Sequence, residues 1–205
     1  MQQDTNQETF ETNEAEKPVK KKKNEVVEWL KALLIALVLV VLIRWLLFKP
    51  FIVQGPSMQP NFVTGQKLIV NEILYDIRKP ECGEVVVFHV PSEGRDFIKR
   101  VIAVAGDTVQ VEGDKVLVNG KPVNETYIQE AIDQAHADDR LYNSTNFPNA
   151  HFSDGKVPEG HVFVMGDNRS NSTDSRMIGF IPLEDIVGRA DLIFWPIKDI
   201  GLINH

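Results

Sequence analysis

The spacing of apolar and polar positions divides the chain into three stretches. Residues 1–25 are almost wholly polar: Asp4, Glu8, Glu11, Glu14 and Glu16 precede a basic run, KPVKKKK, from Lys17 to Lys23. So few apolar groups cannot offset the entropy of ordering, and the stretch reads as a solvated tail. From Ala32 to Phe48 the sequence is ALLIALVLVVLIRWLLF, interrupted only by Arg44. As a helix this run is about 25 Å long, a little short of a hydrocarbon core of about 30 Å, and Val26, Val27, Trp29 and Leu30 extend it. Lys31 and Arg44 lie near its ends, where their charges can snorkel, and Trp29 and Trp45 are spaced for the two interfacial belts. A buried helix of a soluble protein would show a polar face, which this run lacks. A cleaved secretory leader would be followed by a small-x-small site, but RWLLFKPFIVQ follows instead. The pattern therefore predicts a retained single-span anchor over residues 26–49. The lysine run before it keeps residues 1–25 cytoplasmic and puts residues 50–205 outside.

Beyond the anchor the period changes. KLIV (67–70), EVVVFHV (84–90), FIKRVIAVA (97–105) and HVFVM (161–165) are short, β-branched and bounded by Gly, Pro or Asp, and GRADLIFWPI (188–197) reads as a last strand. TVQVEGDKVLVNGKPV (108–123) predicts a hairpin about Gly113-Asp114 and a turn at Asn119-Gly120. Residues 125–160 are acidic, Asn-rich and without a clear period, and read as an inserted excursion on a mainly β domain.

Charge and cysteine content narrow the function. The 205 residues carry a formal charge of −7, and the outer stretch is more negative still, which speaks against nucleic-acid binding through bulk positive charge. One cysteine, Cys82, leaves no intramolecular disulfide and no Cys-based zinc site. The histidines show no metal-ligand spacing, and neither a GxSxG elbow nor a phosphate loop is present. No cofactor is expected.

Three segments carry candidate chemistry. In IVQGPSMQP (52–60), Gly55-Pro56 make a turn that presents Ser57, a few residues past the anchor and so within about 30 Å of the membrane surface. Most serines so placed are turn residues only. In DFIKRVIAVAGD (96–107), strand alternation puts Phe97, Lys99, Val101, Ala103 and Ala105 on one face, with Lys99 its only polar member. An ordinary lysine there sits at a sheet edge with its ammonium in water, about 0.04% neutral at pH 7. Burial disfavours the charged form, and the resulting neutral amine can take a proton from a serine hydroxyl. Arg100 cannot do this, because its guanidinium stays protonated. The third segment, MGDNRSNSTDSR (165–176), is a dense polar loop. Such loops are commonly surface turns and caps, but Asp174 and Arg176 can pair beneath a site and Ser172 can hold an amine.

Taken in order behind an N-terminal anchor, GPSMQP, YDIRKPECGEVVVF, FIKRVIAVAGD and VPEGHVFVMGDNRSNSTDSR resemble the motif boxes of the bacterial type I signal peptidases. By position, Ser57 resembles that family's nucleophile, Lys99 its general base and Ser172 the hydroxyl that orients the lysine. Asp174 and Arg176 resemble the pair that shapes the site; Arg100 and Asp167 also match. The resemblance implies an antiparallel β catalytic domain resting on the membrane and an acyl-enzyme on the serine. The oxyanion would be held by the Ser57 backbone N–H and a group two residues earlier, here Gly55, where some members carry a serine. The implied substrates are signal-peptide-bearing preproteins with small residues at −1 and −3. The enzyme would act as a single chain at the lipid bilayer near the secretion translocon, with the single span and short excursion of the smaller Gram-positive-type members. Two other readings use the same residues: a self-cleaving Ser–Lys peptidase of the repressor type, and an inactive anchored domain that binds exported chains.

Overall fold

The computed structural model describes residues 25–205; the tail expected over residues 1–25 lies, but for Glu25, outside the described residues. The chain forms two compact units that part between Val41 and Leu42. The first contains most of helix α1 (Glu25–Leu47), whose side chains from Glu25 to Leu42 are exposed on every side. Among the described residues no helix is long and apolar enough to cross a membrane.

The second unit is built on an eight-stranded sheet whose pairings are all antiparallel. The sheet begins at β1 (Phe48–Ile52). β1 is an edge strand on β2 (Lys67–Asn71), whose sequence KLIVN buries alternate residues. The order continues through the long late strand 186–195 to β3 (Val85–Val90), β4 (Arg95–Val104) and strand 161–165, and ends at Ile181-Pro182. β3 is apolar without alternation because both its faces are covered. Val85 and Val87 pack with Val53, Met58, Leu68 and Ile98, while Val86 and Phe88 pack with Phe97, Val101, Val162 and Val164. The predicted hairpin forms a separate three-stranded sheet: β5 (Val109–Glu112), β6 (Lys115–Val118) and β7 (Lys121–Pro122). Asn119 (φ 53°) and Gly120 (φ 73°) take the left-handed conformation that a tight turn between twisted strands requires.

Two expectations need correction. The alternation along β4 holds only as far as Val101. A register shift against strand 161–165 falls between Val101 and Ala103, so Ala103 packs with Ile102, Phe163 and Met165, away from Phe97 and Val101. Residues 125–160 are also more regular than expected, because they contain a helix, Gln129–Ala137, entered through a 3-10 turn at Thr126–Ile128. Ile128, Ile132 and Ala135 form its buried face, packed with Tyr142. With β6 and β7 placed, the strands at 161–165, 181–182, 186–195 and 201–202 become β8 to β11; α2 is Leu74–Ile77, α3 the excursion helix and α4 Ser175–Ile178.

Candidate active site

Ser57 sits in the loop between β1 and β2, which apolar anchors fasten on both sides. Val53 and Met58 are fully buried against Leu68, Val85 and Ile98, and Phe62 follows them into the same core. Between the anchors the chain must turn sharply, and Gly55 does so at φ 80°, its carbonyl accepting from Thr64 Oγ1. The Pro56 carbonyl accepts from Gln59 N–H at 3.0 Å, closing a turn with Ser57 as its first inner residue. Neither the Ser57 nor the Gly55 N–H donates to any acceptor among the described residues.

β4 carries Lys99 to this loop. Its Nζ lies 2.8 Å from Ser57 Oγ and 2.8 Å from the Ile98 carbonyl oxygen, and 5.0 Å from the centre of the Phe97 ring. Only 3% of Lys99 is exposed. This burial pulls its pKa down from 10.5 to about 8; Asp174 and Asp167 oppose the shift, and Arg95 and Arg176 add to it. A lysine of that pKa is neutral in roughly a tenth of molecules at pH 7, some two hundred times more than an ordinary one.

Arg100, on the opposite face of β4, is also buried but ion-paired. Its Nε and Nη2 grip the Asp167 carboxylate at 3.0 and 2.9 Å, and Asn61 Nδ2 donates to the same carboxylate at 2.8 Å. Asp167 belongs to the loop after β8. Further along that loop, Asp174 caps α4. It accepts from Arg176 Nε and Nη2 at 2.8 and 2.7 Å and from Gly166 N–H at 2.9 Å. Burial opposes its ionisation, but Arg176 and the Gly166 amide hold its carboxyl below the ordinary range. Arg169 donates to the Gly166 carbonyl and pairs with Glu125, from the start of the excursion. Arg176 reaches Asn143 in the middle of the excursion.

Thus Ser57 and Lys99 are in contact, and Asp174 and Arg176 are paired close enough for their charges to act on Lys99. Ser172 is placed differently from expectation. Its Oγ is buried beside Gly166 and has no hydrogen-bond partner among the described residues, so no hydrogen bond joins it to the Lys99 amine. Gly55 lines the cleft, where a Cβ would meet open space, but its positive φ disfavours any other residue. The cleft, of about 500 Å³, is bounded by Phe51, Gly55, Ser57, Phe97, Lys99, Asn171 and Thr173. Sequence reasoning did not single out Asn168 or Gly166. Asn168 hydrogen-bonds the Ser57 loop, and a Cβ on Gly166 would lie 2.4 Å from the Ser57 carbonyl oxygen. Both lie inside the MGDNR box, where an Asn and a Gly beside a carboxylate were the available signal.

A serine hydroxyl against a buried amine on a β domain is the arrangement that a serine hydrolase with lysine in place of histidine would need. Residues 26–195 match the family model described as signal peptidase, peptidase S26. The chain is 41% identical over 182 residues to signal peptidase I P of Bacillus subtilis subsp. natto, covering 88% of this chain and 95% of that one. It is 34% identical over 179 residues to signal peptidase IB of Staphylococcus aureus, covering 86% and 93%. The crystal structure of a signal peptidase I from Enterococcus faecalis superposes with a TM-score of 0.50 at 32% identity, over 55% of this chain and 97% of that one. The chain belongs to the signal peptidase family, peptidase S26, as a type I member: a serine endopeptidase that cleaves signal peptides from exported preproteins.

Proposed function

We propose that Ser57 is the nucleophile and Lys99 the general base of this cleavage. The observation that carries the reading is the 2.8 Å contact between Oγ and an amine whose pKa burial lowers to about 8. Neutral Nζ accepts the hydroxyl proton as Oγ bonds to the scissile carbonyl carbon. The carbonyl oxygen becomes an oxyanion facing the unpaired N–H of Ser57, with the N–H of Gly55 as the second donor. The tetrahedral adduct collapses, the C–N bond breaks, and Nζ returns its proton to the leaving amine. Water then attacks the ester, giving a proton to Nζ, which passes it to Oγ as the acyl–Oγ bond breaks, releasing the signal peptide and restoring Ser57 and neutral Lys99. Asp174 and Arg176 fix the floor under Lys99, and Ser172 packs beside Gly166 in the same loop.

Residues 26–49 form the membrane anchor in this reading, with residues 1–25 cytoplasmic and 50–205 extracytoplasmic. Two features support a lipid setting. The described side chains of α1 are apolar and exposed around the helix from Ala32 onward, so no protein core covers them. Within the β unit, Trp195, Ile197, Ile200 and Leu202 are all exposed, from the end of β10 through the 3-10 turn Ile197–Asp199 to β11. Small residues at −1 and −3 are the expected specificity.

The test is cleavage of a preprotein bearing an Ala-x-Ala site by the detergent-solubilised full chain, beside Ser57→Ala and Lys99→Ala. Wild type should cut after the second Ala, and both folded variants should lose at least about 10³-fold. Equal cleavage by all three would refute the dyad.

A further inference from the structure

Resting on the reading of Ser57 as nucleophile, we propose that Asn168 is a positioning residue that orients and strengthens the Ser57 backbone N–H as an oxyanion donor. Two peptide planes meet at Ser57, and Asn168 hydrogen-bonds the carbonyl of each. Its side-chain Nδ2 donates to the Pro56 carbonyl oxygen at 3.2 Å, and its backbone N–H donates to the Ser57 carbonyl oxygen at 3.0 Å. The first bond falls on the amide whose other end is the Ser57 N–H. Because C=O and N–H share one conjugated unit, a donor on the oxygen draws density from the nitrogen and makes its N–H a stronger donor. Gln59 N–H donates to the same oxygen, so that carbonyl carries two hydrogen bonds while the N–H across the plane carries none among the described residues. The second bond stops the following plane from rotating.

The orientation of the Asn168 amide is itself set, because Ser170 Oγ donates to Oδ1 at 3.2 Å and leaves Nδ2 to face Pro56. Asn168 is held in turn by its neighbour Asp167, which Arg100 grips. The loop after β8 therefore reaches Ser57 through the backbone on either side of its Cα. A donor aimed before substrate arrives needs no reorganisation in the transition state, which is where such groups act most strongly.

The test separates oxyanion stabilisation from a merely structural tie. Full-length wild type and Asn168→Ala are compared in kcat, KM, pH profile and inhibition by a peptide aldehyde ending in Ala-x-Ala, whose adduct with Ser57 bears the tetrahedral oxygen. Asn168→Ala should lower kcat about tenfold and weaken the aldehyde by a similar factor, less than complete loss of a donor would cost. KM should stay within about twofold and the pH midpoint should not move, since substrate side chains and Lys99 are untouched. A fall in kcat with unchanged aldehyde inhibition, a shifted midpoint, or wild-type kinetics would each overturn the proposal. Should Asn168→Ala fail to fold, Ser170→Ala serves in its place. That exposed substitution frees the amide to turn, and it should lower kcat and aldehyde affinity together, about two- to threefold; no change would overturn the proposal. Ser57→Ala is run alongside. If it cleaves like wild type the nucleophile assignment fails, whereas a silent Ser57→Ala beside an unaffected Asn168→Ala refutes the role of Asn168 alone.

Discussion

Lys99 is useful because it is poorly solvated, and the same burial makes it a liability to the fold. As the proposed base it acts as the neutral amine, so cleavage should rise with pH through a midpoint near 8 and level off above it. A rate independent of pH from 5 to 10 would exclude a lysine base. Stability should follow the same group. Between about pH 8 and 10.5 the unfolded chain holds the Lys99 proton that the folded chain has lost, so stability rises with pH across that window. Below pH 8 the folded state carries the full cost of the buried charge. Lys99→Met should therefore abolish cleavage and raise stability at pH 7 by about 2–3 kcal/mol in chemical denaturation. Sequence alone could place Lys99 as the one polar group on an apolar strand face. It could not give the depth of burial, which depends on Phe97, on Val86 across the strand pair and on the loop that sets Ser57 against the amine.

Among the elements, the loop after β8 gathers most of the site. Gly166 is its tightest point, since an added Cβ would lie 2.2 Å from Ser172 Oγ and 2.4 Å from the Ser57 carbonyl oxygen. Gly166→Ala should displace the nucleophile loop by a sizeable fraction of an ångström and lower kcat/KM about a hundredfold, with a reduced melting temperature. Wild-type kinetics would mean the loops can part without consequence. The strands of this region were readable because β-branched runs between Gly, Pro and Asp are a local signal. The shift at Ile102 was not, because it depends on the register of β4 against β8. Nor was α3 recognised: nine residues form a helix too short to stand alone, and Ile128, Ile132 and Ala135 hold it only by packing on Tyr142.

At the scale of the whole molecule, buried ion pairs join segments far apart in sequence. Glu84, 4% exposed, meets Arg78 from the α2 end and Arg189 from β10. Burial works against its ionisation, but Arg78, the Glu81 amide and Arg189 outweigh it and hold the carboxyl at about 2. Its contribution is present above the ordinary carboxylate pKa and is lost as pH falls through about 2. Glu84→Gln, which leaves two arginines short of a partner, should cost about 3 kcal/mol without moving the pH midpoint of cleavage. Glu125 and Asn143 likewise tie the excursion to Arg169 and Arg176, which makes it a brace on the catalytic loop. The amino-acid sequence by itself determined the apolar run before the β domain, most of its strands and the hairpin turns, and it singled out Ser57 and Lys99 as candidates, because these depend on local spacing and on short motifs. Only the tertiary structure decided that Arg100 faces Asp167, that Ser172 packs beside Gly166 and that Asn168 hydrogen-bonds the carbonyls of Pro56 and Ser57. Those facts rest on contacts between residues tens of positions apart, whose distances and burial exist only once the sheet has closed.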